Sequence, residues 1–273
     1  MPLDQRLAFY KYHALGNDYI VMDPTEAGRE LSTDEVVRIC HRNFGVGSDG
    51  ILWGPGKMVK DEPFALKIYN PDGSVAEKSG NGLRIFSRYL WDNGLVGEDP
   101  FEVQTDGGIV TSQLHDGGRS ATVAMGKVEI RAVEEEIEVG GETLKFCEAS
   151  VGNPHCVVMR EGASEEEARR LGPLLEIHPR FPNRTNVQFV EVLDRNTIRI
   201  EIWERGAGYT LASGSSSSAA AAVVHKLGHC GREIAVRMPG GEIAIVIGED
   251  SSISMTGGVT RVAEGVVFRE AFA

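Results

Sequence analysis

The sequence lacks the marks of a membrane, nucleic-acid-binding or disulfide-stabilised protein. No run approaches 18 apolar residues, and the start MPLDQRLAFY lacks the charged-then-apolar order of a signal peptide, so we expect a cytoplasmic protein. Positive charge is scarce, with 28 Lys and Arg against 40 Asp and Glu. The resulting net charge of −12 argues against nucleic acid or an anionic membrane as a partner, because both would repel the protein at long range.

Cysteine is also scarce, and its spacing fits neither a disulfide framework nor a metal site. We therefore expect reduced, buried thiols at Cys40, Cys147, Cys156 and Cys230. The sequence favours no metal and no nucleotide cofactor, since His13, His155 and Cys156 do not have metal-ligand spacing and Gly45-Val46-Gly47 lacks a dinucleotide-binding context.

The composition is that of a globular protein with many tight turns. The 273 residues are 41% hydrophobic and include 33 glycines, which suits one large domain or two modest ones. Most segments read as short strands, and helices are predicted at 33–42, capped by Thr33, and at 164–172, where Ser164 and Glu167 fit a capping box. The acidic run 134–136 predicts a solvated face or a strand edge.

The chain contains an internal duplication. A Gly-Asn turn followed by an apolar strand occurs at 15–22 and again at 151–159. A Ser-Gly pair then follows in each half, with Ser79 lying 62 positions after Asn17 and Ser213 lying 60 positions after Asn153. Landmarks repeated in one order at matching spacing indicate two similar halves.

The same order continues after each Ser-Gly pair. Each half has a helical pattern closed by a glycine, then an alternating run, a Gly-Gly pair and a methionine-containing strand. In the first half these are 83–91, Gly94, 101–105, 107–108 and 123–126, and in the second 217–227, Gly228, 234–238, 240–241 and 253–258. We therefore predict an α+β protein of two lobes, 1–126 and 127–261, with about 262–273 returning to the first lobe by analogy.

The repeated Ser-Gly segments have the character of a binding site. A serine-glycine segment just before a helix presents backbone N–H groups at the positive end of the helix dipole, which stabilises a carboxylate. Asn70 follows one apolar strand, and Glu204 and Arg205 follow another, each shortly before a Ser-Gly pair. Because an arginine fork suits a carboxylate and a glutamate suits an ammonium group, the expected ligand is an amino acid.

Seven segments, in this order and spacing, resemble the diaminopimelate epimerases over nearly the whole chain. They are HALGNDY (13–19), FGVGSDG (44–50), YNPDGSVAEKSGNGLR (69–84), VGNPHCV (151–157), RTNVQF (184–189), WERGAGYTLASGS (203–215) and MPGGEI (238–243). The resemblance implies two pseudo-symmetric lobes, each a strand-rich sheet or barrel wrapped around a central helix, with the active site in the cleft between them. It also implies a cofactor-independent interconversion of LL- and meso-diaminopimelate, precursors of lysine and peptidoglycan.

In that family two cysteines on opposite faces of the substrate α-carbon exchange its proton, which needs a base and an acid of near-neutral pKa. The resemblance assigns Ser79 and Ser213 to the positions of these cysteines, and His155 and Glu204 to tuning the pair. It assigns substrate binding to the following residues: Asn17, Asn70, Asn153, Asn186, Glu204 and Arg205, with the backbone of Gly80-Asn81 and Gly214-Ser215 holding the α-carboxylate.

This chain departs from the family pattern at the reacting pair. A serine hydroxyl is a far weaker acid than a thiol, so pocket geometry should survive while fast two-base proton exchange should not. Tyr209 stands where the family usually has glutamate, and Gly50 stands where some members have glutamine.

Two other functions remain open on the sequence. One is a divergent member that acts as a racemase on another amino acid, or as a one-base isomerase or lyase in which His155 or Glu204 takes the proton. The other is a non-catalytic amino-acid-binding protein. A homodimer and closure of the lobes about hinges near 126 and 260 are expected from the family alone.

Overall fold

A computed structural model of the chain describes residues 7–272. Residues 1–6, which belong to the segment MPLDQRLAFY that is expected not to be a signal peptide, and Ala273 lie outside the described residues. The chain divides into two compact units, one up to Val123 and again from Gly258 onward, the other Ala124–Gly257. Within residues 7–272 no helix has both the length and the apolar character needed to cross a membrane.

Strands outnumber helices in the described residues. The α-helices are α1 (Pro24–Ala27), α2 (Thr33–Cys40), α3 (Gly80–Asp92), α4 (Glu165–Glu176) and α5 (Gly214–Lys226), with short 3₁₀ turns at Asp116–Gly118 and Arg269–Phe272. The strands are β1 (Leu7–Ala14), β2 (Asn17–Met22), β3 (Ile51–Trp53), β4 (Phe64–Ala65), β5 (Lys67–Tyr69), β6 (Val75–Ala76), β7 (Phe101–Thr105), β8 (Gly108–His115), β9 (Ser120–Lys127), β10 (Glu129–Val139), β11 (Glu142–Ser150), β12 (Pro154–Met159), β13 (Asn186–Asp194), β14 (Thr197–Glu204), β15 (Gly208–Thr210), β16 (Glu233–Met238), β17 (Gly241–Ile247), β18 (Ser252–Gly258) and β19 (Thr260–Val267).

In the first unit, sheet strands surround helix α3. The strands are ordered β19-β1-β2-β3-β5-β6 and β9-β8-β7-β4. Helix α3 contacts β1, β2 and β8, and it is buried along most of its length, from Gly80 to Ser87 and again at Tyr89 and Leu90. A helix buried on nearly all sides forms the centre of a unit rather than its surface. The return of β19 to pair with β1 explains why the end of the chain belongs to this unit.

The second unit repeats this arrangement around α5. Its strands are ordered β10-β11-β12-β13-β14-β16-β17-β18, with β15 paired to β14. Helix α5 contacts β11, β12, β13 and β17, and Ser216–Val224 are all buried. Because these residues are serines, alanines and valines, the surrounding strands can approach the helix closely. The predicted α+β class with strand-rich sheets around central helices is confirmed.

The predicted helix ends are partly wrong. The cap of α2 is Ser32 and not Thr33, because Ser32 forms a complete capping box with Glu35, which also binds Arg29. Helix α4 runs to Glu176, beyond the predicted end at 172 and through Pro173, and it buries Leu175 in the core. Its Ser164 cap is confirmed, but the Glu167 carboxylate pairs with Arg160.

Other predictions are confirmed. Gly94 and Gly228 follow the two central helices with positive φ, as helix-stopping glycines do. The acidic run 134–136 is exposed on β10, an edge strand of its unit. All four cysteines are free and buried.

Candidate active site: two serine-capped helices

Helix α3 begins at the first repeated Ser-Gly pair. Ser79 is its N-cap, and its Oγ accepts the Gly82 N–H at 3.0 Å. The first N–H groups of an α-helix have no intrahelical partner and lie at the positive end of its dipole, so this end suits an anion. The preceding residue, Lys78, adds a positive charge, although burial lowers the pKa of its amine.

A chain of polar side chains holds the residues around this helix end. The Asn81 amide donates to Asn17 Oδ1 at 3.0 Å, and Asn17 donates to Asp49 Oδ2 at 2.8 Å. On the other side, the buried guanidinium of Arg84 donates to Asn81 Oδ1 at 2.5 Å. Arg42 pairs with Asp49, so this series of hydrogen-bonded side chains ends at the protein surface. The structure thus brings together Asn17 and Asn81, two of the predicted binding residues.

Asn70 has a different setting. It begins the turn between β5 and β6, where its side-chain amide donates to Ser74 Oγ at 2.9 Å and its N–H to the Ser74 carbonyl at 2.8 Å. These contacts make Asn70 a turn residue in the described structure, and its role towards a ligand stays a prediction.

Helix α5 begins at the second Ser-Gly pair in the same way. Ser213 is the N-cap, and its Oγ accepts the Ser216 N–H at 3.4 Å and lies 3.4 Å from Ser215 Oγ. Its carbonyl accepts the Ser217 hydroxyl at 2.7 Å. Ser213 is 4% exposed. The two predicted reacting positions are therefore built alike, each as the cap of a central helix.

The strand ends of the second unit bring a further set of predicted residues together. Asn186 donates to the Pro154 carbonyl at 2.9 Å and accepts the Arg205 N–H at 3.0 Å, so one side chain joins the ends of β12, β13 and β14. Asn153 Oδ1 lies 2.9 Å from His155 Nε2. These contacts assemble Asn153, His155, Asn186 and Arg205 on one edge of the unit.

Burial determines the charge of His155 at this edge of the unit. His155 is fully buried, and burial, aided by the charge of Arg205, lowers its pKa to about 3, so the ring is neutral near pH 7. Glu204 ends β14 next to Arg205. Arg205 also lines a depression of about 760 Å³ together with Arg131, Arg180 and Arg184. Glu148 lines it too, and three of these arginines pair with carboxylates of the chain: Arg131 with Glu129, Arg180 with Glu135 and Glu148, and Arg184 with Glu176.

Two of the departures from the family pattern, Tyr209 and Gly50, have local explanations. The Tyr209 hydroxyl donates to Glu201 Oε2 at 2.7 Å, and its ring stacks under Arg169. A glutamate at position 209 would face the Glu201 carboxylate instead. A side chain at Gly50 would begin 2.4 Å from the Tyr69 carbonyl oxygen, so the packing here requires glycine.

Sequence reasoning missed Tyr19, whose hydroxyl lies 3.4 Å from Ser79 Oγ. The duplication contained the signal that could have found it, since Tyr19 and His155 both stand two positions after the asparagine of the repeated Gly-Asn turn. Among residues 7–272 no three His, Cys, Asp or Glu side chains are grouped so that they could hold a metal ion.

Comparisons with known proteins point to one family. The sequence pattern described as diaminopimelate epimerase matches residues 9–131 and 147–262. Diaminopimelate epimerase 2 from Nostoc sp. is 56% identical over 279 residues, covering 98% of each chain. The fold resembles that of a Bacillus anthracis phenazine biosynthesis protein of the PhzF family (TM-score 0.75, 16% identity, 96% of this chain and 99% of that one). It also resembles an Agrobacterium vitis hydroxyproline epimerase with bound trans-4-hydroxy-L-proline (TM-score 0.72, 17% identity, 98% and 92%).

Proposed function

This chain belongs to the diaminopimelate epimerase family, and we propose that it binds diaminopimelate and interconverts its LL and meso forms without a cofactor, through Ser79 and Ser213. The observation that carries the proposal is the duplication of one construction, a central helix capped by the serine of a Ser-Gly pair. Inversion at a carbon requires one group to remove a proton and another to deliver one on the opposite face, and a duplicated site supplies such a pair.

The binding groups are divided between the two ends of the substrate. The N–H groups of Gly80-Asn81 and Gly214-Ser215, at two positive helix ends, would hold the α-carboxylate. Arg205 would bind a carboxylate and Glu204 an ammonium group of the substrate, because these are the complementary charges. His155, neutral at pH 7, and Glu204 would tune the two serines. Asn17, Asn70, Asn153 and Asn186 would orient the remaining polar groups of the substrate.

The serines limit the rate in this proposal. An alkoxide is scarcely populated near neutral pH without a dedicated base, so proton exchange at the α-carbon is slow compared with a thiol pair. Binding depends on backbone N–H groups and on charged side chains, which the serines leave unchanged. The chain is therefore expected to bind diaminopimelate normally and to turn it over slowly.

The test compares this chain with its Ser79→Cys/Ser213→Cys double variant in D₂O, following deuterium at the α-carbon of LL- and meso-diaminopimelate by NMR. Exchange with inversion should rise by about a hundredfold or more in the double variant, the contribution expected of well-matched acid–base groups. A matched control is Ser87→Cys/Ser218→Cys, which makes the same chemical change at buried serines further along the same helices. This control should leave the rate unchanged.

Other outcomes would redirect the assignment. Exchange in neither this chain nor the double variant, with binding intact by calorimetry, would contradict the epimerase proposal and favour an amino-acid-binding protein. Exchange without inversion in this chain would favour a one-base isomerase or lyase with His155 or Glu204 as the base. A panel of other amino acids in the same assay tests a racemase of different substrate.

Three expectations stay predictions beside this proposal. They are the lobe boundaries near 126 and 262 with closure over the ligand, a homodimer, and a cytoplasmic location. Light scattering of the purified chain tests the dimer, and small-angle scattering with and without diaminopimelate tests closure.

A further inference from the structure

Tyr19 lies where it can exchange a proton with Ser79. Its hydroxyl is 3.4 Å from Ser79 Oγ, at the long end of hydrogen-bonding distance, and catalytic contacts of this kind often tighten only when substrate is bound. The tyrosine is only 7% exposed, so its ring position is set by packing on β2. Ser79 Oγ has two acceptor lone pairs, and one of them accepts the Gly82 N–H. The other can accept the Tyr19 O–H, which leaves the serine's own proton to donate.

The duplication gives Tyr19 a counterpart in the sequence of the second half. Tyr19 and His155 occupy the same place in the two copies of the Gly-Asn turn, on β2 and β12. Both are buried side chains that can carry or release a proton. The chain also makes room for the phenol, because a side chain at Gly50 would begin 2.6 Å from Tyr19 Cε1.

We propose that the Tyr19 phenol is the proton relay of the first half of the site and acts on the substrate through Ser79. In the delivering direction, the Ser79 O–H bond breaks as its proton forms the new C–H bond at the α-carbanion. At the same time the Tyr19 O–H proton moves to Ser79 Oγ, and water then reprotonates the phenolate. The removing direction runs in reverse, from the Tyr19 phenolate.

The relay answers the chemical problem that the serine creates. A phenol is a stronger acid than a serine hydroxyl, so of the two oxygens the phenol oxygen is the better carrier of the negative charge. The charged groups on neighbouring elements are Lys78 beside Ser79, Arg84 on α3, and Asp18 and Asp49, both paired with Arg42. All of these stay in place when only the Tyr19 hydroxyl is removed.

The proposal rests on the proposed function, but its first test does not require turnover. A thiol is introduced by Ser79→Cys, and its alkylation by iodoacetamide is followed from pH 6 to 10, where the four natural cysteines are buried and should react slowly. A phenol that donates to the thiolate lowers the pKa of that thiol. Adding Tyr19→Phe should therefore raise it by about one pH unit, which is about a tenfold slower alkylation at pH 7.

Tyr12→Phe in the same Ser79→Cys background is the matched control. Tyr12 is a buried tyrosine of the same unit whose hydroxyl donates to Asp92 at 3.0 Å. Removing this hydroxyl should leave the alkylation profile unchanged. Equal thermal unfolding of the Tyr19→Phe variant and its parent would establish that any shift comes from the missing hydroxyl and not from loosened packing.

The second test uses the unsubstituted chain and diaminopimelate in D₂O. Tyr19→Phe should reduce the rate of α-deuteration about tenfold or more, while binding stays within about twofold. It should also abolish the change of this rate with pH in the alkaline range. An unchanged thiol pKa together with an unchanged pH profile would overturn the relay. A shifted thiol pKa with no exchange in any variant, including Ser79→Cys/Ser213→Cys, would retain the Tyr19 contact and contradict the epimerase function instead.

Discussion

The helix ends at Ser79 and Ser213 share one backbone construction but differ in what surrounds the serine. At α3 the neighbours are Tyr19, whose hydroxyl approaches the serine, and Arg84, which is completely buried five positions into the motif. At α5 the neighbours are further serines, and the position that corresponds to Arg84 is Ser218. The two halves therefore share the serine caps but differ in the side chains that could exchange a proton with these serines.

This difference separates two tasks of the site. In the proposed function, holding a carboxylate depends on helix ends and their N–H groups, and each unit has one serine-capped helix end. Moving a proton depends on the groups within reach of each serine, and these differ: a phenol in one unit and an array of small hydroxyls in the other. We therefore expect the two halves to be equivalent in binding and unequal in chemistry.

The largest predicted effect concerns acid stability and His155, the residue of the second half that corresponds to Tyr19. The His155 pKa of about 3 in the folded chain lies below the ordinary value of 6.5, so between these pH values the unfolded chain binds a proton that the folded chain excludes. This destabilisation grows as the pH falls through the window and is absent above pH 6.5. Between pH 7.5 and pH 4, the His155→Gln variant should therefore lose roughly 3 kcal/mol less unfolding free energy than its parent.

Urea unfolding at both pH values measures this loss. His229→Gln, at an exposed histidine, is the control and should behave like the unsubstituted chain. An equal loss of stability in His155→Gln and in the unsubstituted chain would show that His155 is protonated without penalty in the folded state.

The second prediction compares Arg84 with Ser218. Arg84 fills buried space and holds Asn81, and burial lowers its pKa to about 10, so the side chain still carries its charge at pH 7. Arg84→Ala should cost about 2–3 kcal/mol of unfolding free energy, because it leaves a cavity and removes the hydrogen bond to Asn81. Ser218→Ala should stay within about 0.5 kcal/mol, since its hydroxyl only bonds back to the Gly214 carbonyl. Equal costs at the two positions would contradict the comparison.

The third prediction compares the two caps themselves. Ser79 Oγ accepts its helical N–H at 3.0 Å, whereas the corresponding distance at Ser213 is 3.4 Å. Ser79→Ala should therefore lower the unfolding free energy by about 1 kcal/mol, and Ser213→Ala by less. Thermal unfolding of the two variants, with Ser164→Ala at the α4 cap as a reference, measures the order. A larger loss at Ser213 would reverse the comparison.

The smallest effect is expected at Tyr209, beside the second cap only. Its hydroxyl donates to the buried Glu201 carboxylate, and burial together with Glu201 raises the pKa of the Tyr209 phenol. Tyr209→Phe should cost about 0.5 kcal/mol by chemical unfolding, with little change in the binding of diaminopimelate. A large loss of binding would mean that Tyr209 contacts the ligand.

The sequence predicted the parts of this protein that repeat. The Ser-Gly pairs, the closing glycines Gly94 and Gly228 and the alternating runs that form β7 and β16 were all recognisable because each appears twice. The cap at Ser32 was missed because Thr33 is also a good cap, and only the reciprocal bond with Glu35 decides between them. Helix α4 was ended too early because Pro173 reads as a stop, whereas burial of Leu175 favours its continuation.

The side-chain network of the site could not be predicted in the same way. The links from Arg84 through Asn81 and Asn17 to Asp49 join residues far apart in sequence, and no local pattern specifies them. The proximity of Tyr19 to Ser79 likewise depends on how β2 packs against the start of α3. Such contacts follow from tertiary packing, which a single sequence does not encode in its spacing.

The most direct test of the account is a crystal structure of the unsubstituted chain with LL-diaminopimelate bound. We predict that the α-carboxylate lies on the first N–H groups of both helices and that the α-carbon lies between the two serine oxygens, at roughly 3–3.5 Å from each. A ligand bound only in the arginine-lined depression beside Arg205, or in contact with one serine alone, would contradict it.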